Sequence, residues 1–247
     1  MNRTTHAPSS TEDRTLVWDG CLNVRDLGGL PTASGRPTAR RAIVRADNLD
    51  RLTAEGWDAL LGHGVRTVVD LRDAAEYRPL LPLPEDVDLI RVPLDELAGP
   101  AWWETHGQLD GTPLAFRPYL DHCPHAAAAL VSAIAGARPG GVVVHCGAGR
   151  DRTGLAALLL LALAGVDRAA IAEDYLLSLP NVRPLYGMLG LPDPYRRIDA
   201  ALAEAGTTAE AALAAVLDRL DPAGYLLAAG VAPERIAAVR ERLLPAG

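Results

Sequence analysis

Apolar side chains along this chain fall into short β-branched runs separated by stretches of helical period. "VRTVVDL" (Val65 to Leu71) and "GVVVHC" (Gly141 to Cys146) have the make-up of buried strands. "VDLIRVPL" (Val87 to Leu94) is a third strand candidate, after a proline-rich connection. "TAEGWDALLGHG" opens a helix with Thr53 as N-cap and an early Glu55, and Gly64 stops it. "HAAAALVSAIAGA" (His125 to Ala137) is helical. Beyond it the pattern predicts helices over Thr153 to Ala164, Arg168 to Ser178, Pro194 to Ala205, Ala209 to Leu220 and Pro233 to Leu243. Leu16 to Arg45 reads as short strands and turns, with "DLGGLPTASGRP" supplying the turn chemistry. Asp95 to about Asp121, which holds Trp102 and Trp103, has no regular period and reads as a loop that covers a site or joins two elements.

Strand–helix alternation with short connections predicts an α/β fold: a mostly parallel central sheet flanked by helices, with extra C-terminal helices. Ligands of such sheets bind beyond the carboxyl ends of the strands, and Cys146 stands at one of these ends. Met1 to about Arg14 is polar and rich in Ser and Thr, which predicts a loose tail over 1–14 and one domain over 15–247.

Composition narrows the choice. A chain of 247 residues that is 49% hydrophobic and 22% charged is long enough, and apolar enough, to bury a proper core. With only 4% aromatic residues, that core must rest mainly on Leu, Val, Ile and Ala. A net charge of −7 argues against nucleic acid as a partner. All 24 basic Lys+Arg positions are arginine, a compositional bias rather than a site-by-site choice. Cys21, Cys123 and Cys146 lack framework spacing, and the N-terminus lacks an apolar signal core, so a reducing, cytoplasmic location is expected. "LAALLLLALAGV" (Leu155 to Val166) is too short to span a bilayer and reads as a buried helix. The oligomeric state is left open.

The chemistry concentrates in "VVVHCGAGRDRTG" (Val142 to Gly154). The backbone N–H groups from Gly147 to Arg152 can converge if the loop curls, and Gly147 and Gly149 permit the angles this needs. A helix starting near Thr153 points its positive end at the same place, which makes an anion-binding bowl of phosphate size. Arg152 can clamp two phosphoryl oxygens with its planar fork. Cys146, at the lip, is placed as a thiolate nucleophile stabilised by those same dipoles. Thr153 could donate its hydroxyl to the sulfur. Asp151 can protonate the leaving oxygen and later deprotonate water. Ala148 and Arg150 complete the loop that would surround the phosphate. A preceding strand, two loop glycines, an arginine six places after the cysteine and a following helix make a strong signal; Leu27 and Ala129 stand six places after the other two cysteines.

"HCGAGRDRTG" resembles the signature loop of the bacterial cysteine-dependent tyrosine/serine and dual protein–lipid phosphatases, which reads His-Cys-x-x-Gly-Lys-Asp-Arg-Thr-Gly. "NVRDLGG" (Asn23 to Gly29), the block from Arg45 to Glu76 and "YLLAAGVAPERIAAVRERLL" resemble further motifs of that family in the same order. The resemblance implies a cysteine phosphatase fold, no cofactor or metal, a phosphocysteine intermediate on Cys146, Arg152 as clamp and Asp151 as favoured general acid. The expected partner is a phosphorylated substrate, either a phosphoprotein or a small phosphate monoester. Arg150 departs from the family lysine, either by compositional drift or because the pocket differs.

Other residues carry weaker signals. Asp95, after "RVPL", is the rival general acid, or a helix cap. Asp70 and Arg72 lie at another strand's carboxyl end, where they could face substrate or pair to hold neighbouring loops. Asn23, Arg25 and Asp26 read as a brace for the loop. His122, Cys123 and His125 are close together, but no further pair completes a tetrahedral metal set. His145 should point away from Cys146 by strand alternation. Two rival functions remain: a silent phosphate-binding module, and a sulfurtransferase or arsenate reductase. The second has no need of the loop aspartate.

Overall fold

The computed structural model describes residues 14–188 and 190–244. Its sheet has five strands: β1 (Arg25–Asp26), β2 (Ile43–Ala46), β3 (Val65–Asp70), β4 (Asp88–Arg91) and β5 (Gly141–His145). They lie in the order β1-β2-β5-β3-β4, with β1 antiparallel to β2 and the others parallel. The β-branched run "GVVVH" is buried at every residue because β5 is central, covered on both edges and both faces.

Strand alternation then divides the core. Val143 pairs with Val44 and Val68 and joins Trp57 and Leu60 of α1 (Ala54–Gly62) on one face. Helix α1 starts where expected, its Thr53 hydroxyl accepting the Gly56 N–H at 3.2 Å. Val142 and Val144 face the larger core with α4 (Pro124–Ala135) and α5 (Arg152–Leu163). The "LAALLLLAL" run of α5 is apolar all round because α4, α6 (Arg168–Leu176) and α10 (Pro222–Ala228) enclose what β5 leaves. Helices α8 (Tyr195–Glu204), α9 (Ala209–Asp218) and α11 (Pro233–Leu243) match expectation within a residue or two. The fold class is the one anticipated.

Two expectations about the helices are corrected. The stretch from Asp95 to Asp121 is not a loop: it forms α2 (Leu94–His106) and α3 (Phe116–His122). A kink at Gly99 (φ 73), followed by Pro100, breaks the period that would have revealed α2. Helix α7 (Ser178–Met188), with Pro184 inside it, and the seven-residue α10 were also not anticipated. The tail expected over 1–14 lies outside the described residues except Arg14, which is buried and pairs with Asp174 at 2.9 Å. Among the described residues no single helix is long and apolar enough to cross a membrane.

Candidate active site

The loop leaving β5 is held from behind by its carbonyls. Gly147 O accepts from Asn48 N at 3.2 Å, and Ala148 O from Asn23 Nδ2 at 3.1 Å. Gly149 O accepts from Asn23 Nδ2 at 3.2 Å and from Arg45 Nη2 at 2.8 Å. With the carbonyls so engaged, the N–H groups of Gly147 to Arg152 have no acceptor among the described residues. Gly149 has φ 66°, and a Cβ there would lie 2.5 Å from Ala46 O, so the tight curl requires glycine. Gly147 has no such demand: a Cβ would meet nothing closer than 3.8 Å. Only one of the two loop glycines therefore uses its freedom. The positive end of α5 completes the bowl of donors.

Cys146 sits at the bowl, only 2% exposed, on the face of the larger core. Thr153, at the start of α5, is fully buried, but its hydroxyl makes no hydrogen bond among the described residues, so the contact expected with sulfur is not formed. His145 points to the α1 face, as alternation required, with Nε2 3.6 Å from Asp70 Oδ1. Burial pulls its pKa down to about 4 against the opposing pull of Asp70, so the imidazole is neutral at pH 7.

Arg152 reaches three carboxylate oxygens: Glu76 Oε1 at 2.5 Å, Glu76 Oε2 at 2.9 Å and Asp95 Oδ2 at 3.0 Å. Burial alone would weaken its charge, but Glu76, Cys146 and Asp95 together hold the guanidinium more firmly protonated than usual. Its Nε carries no hydrogen bond among the described residues, leaving one edge of the fork free. Glu76 is fixed by a capping box on the single turn Ala74–Glu76, with Asp73 N donating to Oε1 at 3.1 Å. Sequence reasoning gave Glu76 no role; the D-x-x-E spacing of Asp73 and Glu76 was the available signal.

Carboxylates crowd here. Oxygens of Asp73, Glu76 and Asp95 lie within 4.8 Å of one another. Burial, with Asp73, Asp110 and Glu76 nearby, raises the Asp95 pKa to about 6 despite Arg152. Asp95 opens α2, where Trp103 Nε1 donates to its carbonyl at 3.0 Å. A crevice beside Arg152 is lined by Asp95, Trp103, Thr112, Phe116, Asp151 and Leu155. Trp102 is buried between Trp103 and Tyr119 at the base of that wall, so the tryptophan pair belongs to both core and crevice.

Two expected substrate contacts are relocated. Arg150, 2% exposed, forms a two-point pair with Asp151 (3.0 and 3.1 Å), bonds Gly111 O at 2.8 Å and stacks 5.4 Å over the Tyr195 ring. Its guanidinium is a strut tying the loop to Gly111 and Tyr195. Arg72, also 2% exposed, is saturated by Asp70 (2.9 and 2.8 Å), Asp50 (2.8 and 2.9 Å) and Asn48 Oδ1 (2.7 Å). Asp70 and Arg72 thus brace the loop after β2, which in turn holds Gly147, and the donors of Arg72 are spent on Asp70, Asp50 and Asn48. Asn23 and Arg25 act in the brace expected for "NVRDLGG", while Asp26 binds the N–H groups of Gly28 (2.7 Å) and Arg41 (2.8 Å). His122 and His125 bond the carbonyls of Pro118 and Leu97, each at 2.8 Å. All three cysteines are free thiols.

A family model described as the tyrosine phosphatase family matches residues 16–245. A tyrosine-protein phosphatase of Nostoc commune is 33% identical over 230 residues, which cover 83% of this chain and 75% of that one. The triple specificity protein phosphatase PtpB of Mycobacterium tuberculosis is 29% identical over 198 residues, covering 67% of this chain and 70% of that one. Among solved structures, P. aeruginosa TpbA in complex with phosphotyrosine aligns with a TM-score of 0.41 and 17% identity, over 92% of this chain and 100% of that one. With a match over nearly its full length, and the strand–loop–helix cradle around Cys146, the chain belongs to the tyrosine phosphatase family and is a cysteine-based phosphatase.

Proposed function

We propose that the chain hydrolyses phosphate monoesters through a phosphocysteine on Cys146, with phosphotyrosine as the preferred substrate class. The observation that carries this is the backbone of the signature loop that follows Cys146: its carbonyls are bound from behind, and its N–H groups from Gly147 to Arg152 have no acceptor among the described residues. Those amides and the free edge of Arg152 receive the phosphoryl oxygens. The Cys146 thiolate attacks phosphorus as the ester P–O bond breaks, and a neutral Asp95 gives its proton to the departing oxygen. Asp95, now ionised, takes a proton from water; the hydroxide attacks phosphorus, the S–P bond breaks, and inorganic phosphate leaves with the thiolate restored.

Asp95 is preferred as the acid because its carboxyl, raised to about 6, still carries a proton close to neutral pH. Asp151 lines the same crevice, but both of its carboxylate oxygens are engaged by Arg150, at 3.0 and 3.1 Å. It remains the alternative donor. Walls of Trp103, Phe116 and Leu155 suit an aryl group better than a sugar. The free thiols fit a reducing, cytoplasmic setting.

The test is hydrolysis of phosphotyrosine, phosphoserine and sugar phosphates in the presence of a chelator. Phosphotyrosine should turn over at least about tenfold faster than the others, and Cys146→Ser should remove that activity. Chelator-sensitive turnover, or faster hydrolysis of a sugar phosphate, would overturn the reading.

A further inference from the structure

Behind the signature loop lies a charge cluster that the reaction steps above do not use. Arg14, Arg25 and Arg45 are each 3% exposed or less, and all three converge on the single carboxylate of Asp174. Arg14 Nη1 and Arg25 Nε reach Asp174 Oδ1, both at 2.9 Å, and Arg45 Nη1 reaches Oδ2 at 2.6 Å. Ser178 Oγ accepts from Arg25 at 2.9 Å and from Arg45 at 3.1 Å, and Asn23 Oδ1 accepts from Arg25 at 2.7 Å. Arg25 also donates to the Asp174 carbonyl. None of these acceptors other than Asp174 carries charge. The Asp26 carboxylate is turned to Gly28, Arg41 and His63 instead.

Among the described residues, three guanidiniums share one carboxylate, which leaves two positive charges without a paired carboxylate in a region closed to water. Burial, and then the nearness of Arg45, bring the Arg25 pKa down to about 10. Burial would push Asp174 up, yet Arg25, Arg45 and Arg14 hold it far below the usual carboxylate range. An uncompensated buried charge is strongly unfavourable, so such a cluster calls for a counter-charge close by. The loop supplies the place. Arg45 Nη2 donates to Gly149 O, and Asn23 links Arg25 to the carbonyls of Ala148 and Gly149. On the far side of that same loop stand the unspent amides and Cys146.

We propose that Arg14, Arg25 and Arg45 are positioning residues whose excess positive charge, set by the single Asp174, is balanced by the anion held on the other face of the signature loop. The cluster thus tunes how tightly the bowl holds a dianionic phosphoryl group, as well as fixing the loop's shape. This rests on the phosphatase reading of the site, and the two fail separately in the experiment below.

Binding of inorganic phosphate to the unreacted enzyme, measured by calorimetry at low ionic strength, separates charge from mechanics. Arg14 touches no part of the loop, so Arg14→Met removes one charge and leaves every loop hydrogen bond in place. Its phosphate Kd should rise by roughly tenfold, with thermal stability unchanged or improved. Asp174→Asn adds one unbalanced charge: phosphate should bind several-fold tighter although the fold is less stable. A purely mechanical brace predicts the reverse for Asp174→Asn, weaker binding together with lower stability. Should that variant not fold, Arg14→Met beside a charge-retaining Arg14→Lys decides alone: the lysine form should restore most of the affinity. Equal Kd for wild type, Arg14→Met and Arg14→Lys would overturn the inference. A wild-type enzyme that binds no phosphate at all would instead overturn the reading of the site.

Discussion

Replacing Asp95 by asparagine probes the acid assignment through two effects of opposite sign. The carboxyl is 28% exposed, and burial with Asp73, Asp110 and Glu76 around it raises its pKa from 3.8 to about 6. Its folded-state value lies above its unfolded value, so the fold is favoured by protonation. The penalty is absent below about pH 4 and complete above about pH 6. Two pKa units at about 1.4 kcal/mol each give roughly 3 kcal/mol, and partial exposure lowers this to about 2 kcal/mol. Asp95→Asn should therefore unfold at higher denaturant than wild type at pH 8, and at the same denaturant at pH 4. Activity moves the other way. Wild-type kcat should fall as pH rises through about 6, because only the neutral carboxyl donates a proton. The variant should lose that limb, and its rate on phosphotyrosine should drop by about a hundredfold or more. The loss should shrink on aryl phosphates with good leaving groups. If Asp151→Asn shows this pattern while Asp95→Asn retains both the limb and the rate, the acid is Asp151 and the argument from burial fails.

Gly149→Ala forces a side chain into a backbone at φ 66° and a Cβ to within 2.5 Å of Ala46 O; it should cost about 1–3 kcal/mol by chemical denaturation and remove phosphate binding. Gly147→Ala, with nothing within 3.8 Å of the added carbon, should fold like wild type in the same assay. Arg72→Met leaves Asp50 and Asp70 buried without their partner, and should destabilise by about 3–5 kcal/mol in thermal or denaturant unfolding.

How much of this was legible beforehand depends on how local the cause is. The cradle around Cys146 could be read because strand, loop and helix adjoin in sequence, and β-branched, glycine-rich and apolar runs each report their own backbone. Helix α2 could not, because the kink at Gly99 and Pro100 erases the period while tertiary packing of Leu94 and Trp102 restores the helix. Arg150 illustrates a second limit. Its place in the loop suggested a phosphate contact, yet Asp151, Gly111 O and the Tyr195 ring draw it away, and Gly111 and Tyr195 come from distant parts of the chain. Glu76 was written in a capping box, but nothing local says that the capped turn points at Arg152. The Asp174 cluster gathers groups from four segments, and no sequence interval announces it.

The central claim is that phosphorus is carried on the sulfur of Cys146. Acid quenching during turnover of a phosphotyrosine substrate, followed by peptide mapping, tests this directly. The account predicts a phosphate adduct on the peptide containing Cys146 and none on Cys21 or Cys123, with neither adduct nor turnover in Cys146→Ser. Turnover at the wild-type rate by that variant, or an adduct on any other residue, would contradict it.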